Sequence, residues 1–254
     1  MKLNDFIAAM DTIAPRELAA PWDNPGLLIG TEKQDITKVL VALDCSVATA
    51  KEAIDWGADL LLTHHPVFFG GVKRIAPDDP DTEGAYLLIR NGIGLFAAHT
   101  NLDSAEGGVN DCLAEALGLR HIEKLPPDDM GRIGLLSSPM TFVDFARMVE
   151  EKLSARVRIN GEAAAPVRRI AMVGGSAAEE LFAAKAAGAD VFITGEMKHH
   201  LAIQAAALGL FIIEAGHYET EKVVLQPLIN RLQVLSDDVQ YKLTRSESAC
   251  LRGI

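Results

Sequence analysis

The chain contains one pattern twice, a short apolar segment that begins with Gly-Ala-Asp and ends in threonine. Residues 57–63 read Gly-Ala-Asp-Leu-Leu-Leu-Thr, and residues 188–194 read Gly-Ala-Asp-Val-Phe-Ile-Thr. Further apolar segments flank the two copies and lie at residues 39–43, 94–96, 170–173 and 209–211. Uninterrupted apolar strands that alternate with helical stretches are typical of parallel sheets buried on both faces. The repeat therefore predicts an α/β protein with two α/β lobes related by internal duplication, in which mostly parallel or mixed sheets are flanked by helices.

A proline-rich break separates the two copies. Residues 125–129 read Leu-Pro-Pro-Asp-Asp, a composition typical of a linker. We therefore expect a first lobe over residues 1–125 and a second lobe over residues 126–254. Near the end of the chain, apolar and polar residues alternate over residues 239–243, which predicts an edge strand. Because right-handed crossovers bring the carboxyl ends of parallel strands to one edge, each lobe should present its strand-end side chains along one edge of its own sheet.

Composition limits the classes of function. The 254 residues are 49% hydrophobic and 23% charged, as in a globular protein with a substantial core. The net charge of −11 makes nucleic acid an unlikely partner, because phosphate neutralisation needs clustered lysine and arginine. Three widely spaced cysteines suit reduced thiols, and the N-terminal residues form an amphipathic pattern rather than a signal peptide. Since no apolar stretch approaches the roughly 20 residues of a membrane span, we expect a cytoplasmic protein.

Histidines gather at the ends of the apolar segments. Six of the seven do so, and three carboxylates accompany them in sequence. These residues are His64, His65, His99, His199, His200 and His217, with Asp103, Glu196 and Glu221. In α/β proteins the carboxyl ends of the strands line the crevice in which ligands bind. The distribution therefore predicts a polar, metal-binding site built on a buried sheet.

The dipeptide His64-His65 is followed by Pro66. Neighbouring residues of a strand point to opposite faces, so both imidazoles can serve one site only if the strand has already ended. Pro66 favours such an end, because it donates no hydrogen bond and holds His65 extended. The alternative is a buried, hydrogen-bonded histidine beside a solvated one.

Two other pairs add carboxylates. His99 and Asp103 are four residues apart, which suits a turn that brings both groups inward. Alternatively, Asp103 caps a helix expected over residues 110–117. His217 and Glu221 share one face if a helix has begun by His217, although such pairs also occur on solvated faces.

These motifs together supply three imidazoles and two carboxylates as metal ligands. The set consists of His64, His65, Asp103, His217 and Glu221. A set without thiolate suits Zn, Mn, Fe, Co or Ni. Five ligands exceed the needs of one catalytic zinc, and they serve two ions if a carboxylate bridges them. We therefore expect two divalent metal ions per subunit, with coordination positions open for water and hydrolytic chemistry.

Further polar residues flank this set. The segment Val173-Gly174-Gly175-Ser176 joins a strand to a helix, so it either holds a phosphate with backbone N–H groups or simply forms a tight turn that needs glycine. Glu196 and His200 follow the second threonine and are candidates for substrate contact or proton transfer. They are equally well explained as surface residues at the start of a helix.

In these motifs the chain resembles the GTP cyclohydrolase I type 2 homologue family, also called the Nif-three-like family. The resemblance covers nearly the whole chain and rests on five segments, at residues 22–27, 63–66, 99–103, 194–200 and 216–221. The first reads Trp-Asp-Asn-Pro-Gly-Leu, the fourth begins Thr-Gly-Glu, and the last reads Gly-His-Tyr-Glu-Thr-Glu. Pro25 and Glu196 depart from the usual family residues, a branched aliphatic residue and aspartate, and neither is a proposed ligand.

The resemblance implies the same five metal ligands, with Glu221 as the bridge between the two ions. It also implies two intertwined α/β lobes and a ring-shaped homohexamer whose metal sites face an internal cavity. The family name points to GTP ring opening, in which His200 or His99 would handle protons.

Two hypotheses of function follow. The first is a metal-dependent hydrolase of a nucleotide-like or phosphorylated small molecule. The second is a non-enzymatic assembly that stores or delivers metal or has a regulatory role, which would have a saturated coordination shell and no turnover.

Overall fold

The computed structural model describes residues 1–33 and 35–251. The chain divides into two compact units. Unit 1 comprises Met1–Glu106 and Leu225–Ser248, and unit 2 comprises Gly107–Val224 and the end of the chain from Ala249. This division differs from the expected boundary after residue 125. The proline-rich segment turns out to connect two strands of the same sheet, and the C-terminal strand returns to the sheet of unit 1.

The helices and strands alternate along most of the chain. The strands are β1 (Gly26–Ile29), β2 (Lys38–Ala42), β3 (Leu60–Thr63), β4 (Gly94–Ala97), β5 (Arg120–Lys124), β6 (Arg132–Thr141), β7 (Arg158–Asn160), β8 (Pro166–Val173), β9 (Val191–Thr194), β10 (Phe211–Glu214) and β11 (Gln240–Leu243). The helices are α1 (Leu3–Ile13), α2 (Val47–Trp56), α3 (Glu83–Arg90), α4 (Thr100–Ser104), α5 (Val109–Ala116), α6 (Phe142–Leu153), α7 (Leu181–Ala186), α8 (His199–Ala207), α9 (His217–Glu221) and α10 (Leu225–Leu235). Short 3-10 turns occupy Arg16–Leu18, Ala178–Glu180 and Lys222–Val224.

The sheet of unit 1 has the strand order β1-β4-β3-β2-β11 within the described residues. Strands β2, β3 and β4 run parallel, β11 adds to β2 in parallel, and β1 is antiparallel to β4. The expected edge strand near the C-terminus is therefore confirmed. Leu40, Leu61 and Leu95 on the three central strands are fully buried, as expected for apolar strands covered on both faces.

The sheet of unit 2 has the order β5-β6-β8-β9-β10-β7 over the described part of the chain. Strands β8, β9 and β10 are parallel, and the remaining pairs, β5 with β6, β6 with β8, and β7 with β10, are antiparallel. The parallel trio β8-β9-β10 repeats the arrangement of β2-β3-β4 in unit 1. The predicted α/β class, with a duplicated core and mixed sheets flanked by helices, is confirmed.

The repeated Gly-Ala-Asp sequence has the same structural role in both units. Each glycine ends a helix in the left-handed region, with φ of 70° at Gly57 and 76° at Gly188. Each aspartate then accepts hydrogen bonds from two successive backbone N–H groups at the neighbouring strand. Asp59 accepts from residues 37 and 38 at 2.8 and 3.1 Å, and Asp190 accepts from residues 168 and 169, both at 2.8 Å. The repeat thus encodes the start of a strand and its registration with the next one, while the candidate site residues follow the opposite end of the strand.

Replacing Asp59 with asparagine is expected to lower the free energy of unfolding at pH 7 by about 1–3 kcal/mol, because an amide group replaces charge-assisted hydrogen bonds. Burial would raise the pKa of Asp59, but hydrogen bonds from Lys33, Thr37 and Lys38 lower it below the ordinary 3.8. A depressed pKa contributes stability above the unfolded value and loses that contribution as the pH falls towards the folded value. Urea unfolding at pH 7 and at about pH 3 should therefore show a difference that shrinks in acid.

The matched control for this experiment is Asp55→Asn, because Asp55 is exposed on α2. Two results would contradict the structural role of Asp59. One is an equal loss of unfolding free energy in both variants, and the other is a loss in Asp59→Asn that does not change between pH 7 and about pH 3.

Among the described residues, the structure contains no helix with the length and apolar character needed to cross a membrane.

Candidate metal centre

His64 and His65 lie directly after the end of β3, as the sequence requires for both to serve one site. Their backbone N–H groups donate to the carbonyls of Ala42 and Leu43, and the Thr63 hydroxyl donates to the His65 carbonyl at 2.8 Å. The two ring centroids are 4.9 Å apart, a proximity that opposite faces of a continuing strand would not allow. Because the strand ends at Thr63, neighbouring residues can direct their rings to the same region.

Hydrogen bonding assigns the protonated nitrogen of His64. Its Nδ1 lies 2.8 Å from the carbonyl oxygen of Ala98, and a carbonyl can only accept, so Nδ1 carries the proton and Nε2 carries the lone pair. Nε2 lies 3.6 Å from Oδ1 of Asp103. Asp103 belongs to α4, and Gly108 is the N-cap of α5. The alternative that Asp103 caps the helix at residues 110–117 is therefore wrong, because a separate short helix carries it.

Two carboxylates anchor the other histidines of unit 1. His65 donates from Nδ1 to Asp44, and His99 donates from Nδ1 to Asp23, each at 2.8 Å. The potential ligand atoms of His64, His65 and His99 all lie within 4.8 Å of one another. The three imidazoles therefore form one cluster, in which the His99 ring centroid lies 5.2 Å from that of His64 and 5.6 Å from that of His65.

Asp23 remains ionised although its side chain is fully buried. Burial by itself would raise its pKa, but hydrogen bonds from His99 and Thr100, and the charge of His99, lower the pKa to about 2. Its second oxygen accepts from the backbone N–H of Thr100 at 3.0 Å and from the Thr100 hydroxyl. Asp23 therefore fixes both the His99 ring and the first turn of α4.

In unit 2, His217 and Glu221 are the first and last residues of α9. The helix does begin at His217, and His217 Nε2 lies 3.1 Å from Glu221 Oε2. The Glu221 side chain is only 5% exposed, so the alternative of a pair on a solvated face is wrong for Glu221. His217 donates from Nδ1 to Glu196 at 2.8 Å, which gives Glu196 an orienting contact.

The two glycines after β8 make room for the Glu221 carboxylate, and their N–H groups are not available to bind a phosphate. Gly174 donates its N–H to the Asn110 side chain at 2.9 Å, and Gly175 donates to the Thr220 hydroxyl at 3.0 Å. These donors are already used inside the protein, so the phosphate interpretation of the two glycines is wrong. Gly175 has φ of +65°, and a Cβ there would overlap Oε1 of Glu221 and lie 3.3 Å from His217 Nε2. Glycine is therefore required both by the turn and by the close approach of Glu221.

His200 is exposed in the first turn of α8. The pKa of Glu179 is lowered mainly by a hydrogen bond from Lys198, and His200 makes a smaller electrostatic contribution in the same direction. Glu196 is also largely exposed and reaches His217 with one oxygen. His200 is therefore a surface residue at the start of a helix, as the alternative interpretation expects. Glu196 differs, because it contacts His217, a candidate ligand.

Sequence reasoning missed the orienting carboxylates of unit 1. Asp44 follows the apolar strand β2 just as His64 follows β3, so its position after a strand end was an available signal. Asp23 belongs to the Trp-Asp-Asn segment. Its role as the partner of His99 could not be inferred from the sequence, because the hydrogen bond joins residues 76 positions apart.

The donor set fits divalent metal ions. Four histidines, His64, His65, His99 and His217, each have Nδ1 at 2.8 Å from an oxygen acceptor. Metal-binding histidines characteristically donate their other ring N–H to a carboxylate or a backbone carbonyl, which fixes the tautomer and the ring orientation. The same arrangement gives each unit preorganised nitrogen donors, with the carboxylate of Asp103 beside His64 in unit 1 and that of Glu221 beside His217 in unit 2.

Comparison with known proteins gives matches over almost the entire chain. The family model described as Duf34/NIF3 (NGG1p interacting factor 3) matches residues 1–249. A protein of Clostridium perfringens named GTP cyclohydrolase 1 type 2 homolog is 36% identical over 253 residues, which cover 96% of this chain and 97% of the relative. A protein of the same name from Streptomyces coelicolor is 37% identical over 232 residues, covering 87% and 81% of the two chains.

The fold is also similar to solved structures. A Bacillus cereus protein related to NIF3 has a TM-score of 0.95 at 26% identity, covering 100% of this chain and 99% of that chain. A Staphylococcus aureus protein, SA1388, has a TM-score of 0.92 at 29% identity, with the same coverage of both chains. These matches confirm the resemblance that the motifs indicate. The chain belongs to the Duf34/NIF3 (NGG1p interacting factor 3) family.

Proposed function

We propose that this protein binds divalent metal ions and hydrolyses a nucleotide-like or phosphorylated small molecule. The proposed ligands are His64, His65, Asp103, His217 and Glu221. The observation that carries the proposal is the anchoring of each ligand histidine through Nδ1 to an oxygen acceptor at 2.8 Å. Such anchoring leaves Nε2 as the nitrogen with a lone pair for a metal.

The proposed ligands are imidazoles and carboxylates, and no thiol is among them. Cys45 follows Asp44 directly, but burial and the charge of Asp44 raise the pKa of its thiol to about 12. A raised pKa disfavours the thiolate that binds metals, and Cys45 is not part of either group of possible metal ligands among the described residues. Nitrogen and oxygen donors of this kind accept Zn, Mn, Fe, Co or Ni.

A divalent ion held by such donors supplies Lewis-acid activation of water near neutral pH. The residues of the chain orient the ligands and manage protons. Asp44 and Glu196 hold the rings of His65 and His217, and the low pKa of Asp23 keeps it an acceptor for His99 Nδ1–H. His99 lies beside the ligand pair, so it is our first candidate for holding or moving a proton, and His200 and Glu196 remain further candidates.

The expectation of two ions per chain rests on the five ligands, and two further features of the proposal rest on the family resemblance. They are the bridging role of Glu221 and assembly into a homohexamer. The names of the Clostridium perfringens and Streptomyces coelicolor relatives, both GTP cyclohydrolase 1 type 2 homolog, support a nucleotide-like substrate. GTP ring opening is one reaction within this class.

Metal-replete protein is expected to contain about two divalent ions per chain and to turn over at least one member of a panel of nucleotides and phosphoesters. Replacing His65 with alanine should abolish that turnover, because it removes a proposed ligand. Elemental analysis and product detection by chromatography check the two parts. His121→Asn is the matched control, because His121 is exposed on β5 at φ of 52°, a conformation that asparagine tolerates.

A metal content near zero after metal-replete purification would contradict the site. Full metal loading with no turnover on the panel would instead favour the alternative, a non-enzymatic metal-binding or regulatory assembly.

A further inference from the structure

We propose that Trp22 and Phe69 form a stacking platform for a planar heteroaromatic ring of the ligand that reaches the histidine cluster of unit 1. The proposal rests on the proposed function, because it names the part of the substrate that lies beside that cluster. It selects a nucleobase-like ring over a purely aliphatic phosphorylated molecule.

The two rings are exposed where apolar side chains are normally buried. Trp22 is 62% exposed and Phe69 is 54% exposed. Their centroids are 6.4 Å apart with an interplanar angle of 34°. Each ring also meets the His99 ring edge-on, Trp22 at 5.9 Å and Phe69 at 5.6 Å, both at 73°. An exposed aromatic pair that borders a polar cluster is typical of a ligand-binding surface, in which apolar rings surround a few placed polar groups.

The Trp-Asp-Asn segment ties this platform to the cluster. Asp23 accepts from His99 at 2.8 Å, and Asn24 donates from its side chain to the carbonyl of Phe68 at 2.7 Å. One residue therefore fixes the histidine, and the next fixes the loop that carries Phe69. The platform is thus held in place before a ligand arrives, which lowers the entropy that binding would otherwise cost.

The nearby charges favour a ring over a phosphate as the group that the protein itself recognises here. The groups hydrogen-bonded to His65 and His99 are the carboxylates of Asp44 and Asp23, so a phosphate of the ligand would be attracted by the proposed metal ions and not by these side chains. An aromatic face attracts a heterocycle by dispersion and stacking, which is worth about 1–3 kcal/mol per base and does not depend on charge. A planar ring on Trp22 and Phe69 would place its substituents towards the imidazoles.

Tryptophan fluorescence of the metal-loaded full chain tests the platform. The chain has two tryptophans, and Trp56 lies on α2 with the Lys38 and Lys242 ammonium groups over its ring. A Trp56→Phe variant therefore reports on Trp22 only. We expect saturable quenching by guanosine and none by ribose 5-phosphate. In this background, Phe69→Leu should weaken guanosine binding by about 5- to 150-fold, the equivalent of one lost stacking contact.

Two matched variants separate stacking from general apolar contact. Phe69→Tyr keeps the aromatic face and should retain binding, whereas Val72→Ala removes an exposed apolar side chain from the same loop and should have no effect. Absence of saturable quenching by guanosine, equal quenching by ribose 5-phosphate, or equal effects of Phe69→Leu and Val72→Ala would overturn the proposal. A dependence of Trp22 emission on protein concentration in the absence of nucleoside would also overturn the proposal, because it would indicate that a second copy of the chain covers the platform.

Metal content measured in the same samples keeps this proposal distinct from the proposed function. Metal-loaded protein that does not bind guanosine overturns the platform and leaves the metal site intact. Guanosine binding by protein that stays without metal after metal-replete purification supports the platform, and the missing metal by itself contradicts the proposed function.

Discussion

Replacing Glu221 with alanine is expected to deplete the protein of both divalent ions. Its carboxylate is nearly buried and lies 3.1 Å from His217 Nε2, and the resemblance assigns it the bridge between the two ions. Removing a bridge takes one ligand from each ion, whereas removing a terminal ligand weakens one ion only. Elemental analysis of metal-replete protein should therefore fall from about two ions per chain to near zero.

Glu221→Gln serves as a second variant, because it keeps the volume of the side chain and replaces one carboxylate oxygen with an NH2 group. Glu219→Ala is the matched control, since Glu219 is also a glutamate of α9. Circular dichroism should show that all three variants are folded. Loss of a single ion from Glu221→Ala would refute the bridging role, and full retention of metal would refute its role as a ligand.

Replacing Gly175 with alanine is expected to destabilise unit 2 and to reduce metal binding together. The position has φ of +65°, and a Cβ would overlap Oε1 of Glu221. The left-handed backbone costs about 1–2 kcal/mol for a residue with a Cβ, and overpacking adds about 1–3 kcal/mol. Relief of the overlap requires the Glu221 carboxylate to leave the position that it holds beside His217 and Gly175. Urea unfolding and elemental analysis on the same samples measure both effects.

Gly188→Ala separates these two costs. Gly188 has a similar φ of +76°, but a Cβ there meets nothing within 4 Å. This control should show only the backbone cost and should retain its metal. Equal destabilisation of the two variants, or unchanged metal in Gly175→Ala, would show that the space beside Glu221 is not occupied as the structure indicates.

The parts of the fold that depend on local pattern were predictable. The duplicated segments at residues 57–63 and 188–194 correspond to β3 and β9 with their preceding helix ends, and both lie inside parallel trios. Residues 239–243 do provide an edge strand. Apolar runs and alternation determine these elements because burial on one or two faces selects the residue types directly.

The positions of the histidines at the ends of strands were predictable for the same reason. A polar residue that follows a buried strand must leave the sheet at its carboxyl edge, so His64, His65 and the start of α9 could be placed without coordinates. Sequence spacing also put Glu221 on the face of His217, and the structure gives the 3.1 Å approach. The use of these residues as ligands of two ions remains a prediction.

Only the tertiary structure decided which distant groups meet. The sequence established two copies of an α/β unit and strand ends that carry imidazoles, because both follow from patterns within about ten residues. It did not establish that β11 joins β2, that the proline-rich segment lies within one sheet, or that Asp23 holds His99 and Ala98 holds His64. These contacts join residues far apart in the chain, and a hydrogen bond depends on distance and angle after folding, which composition and spacing do not encode.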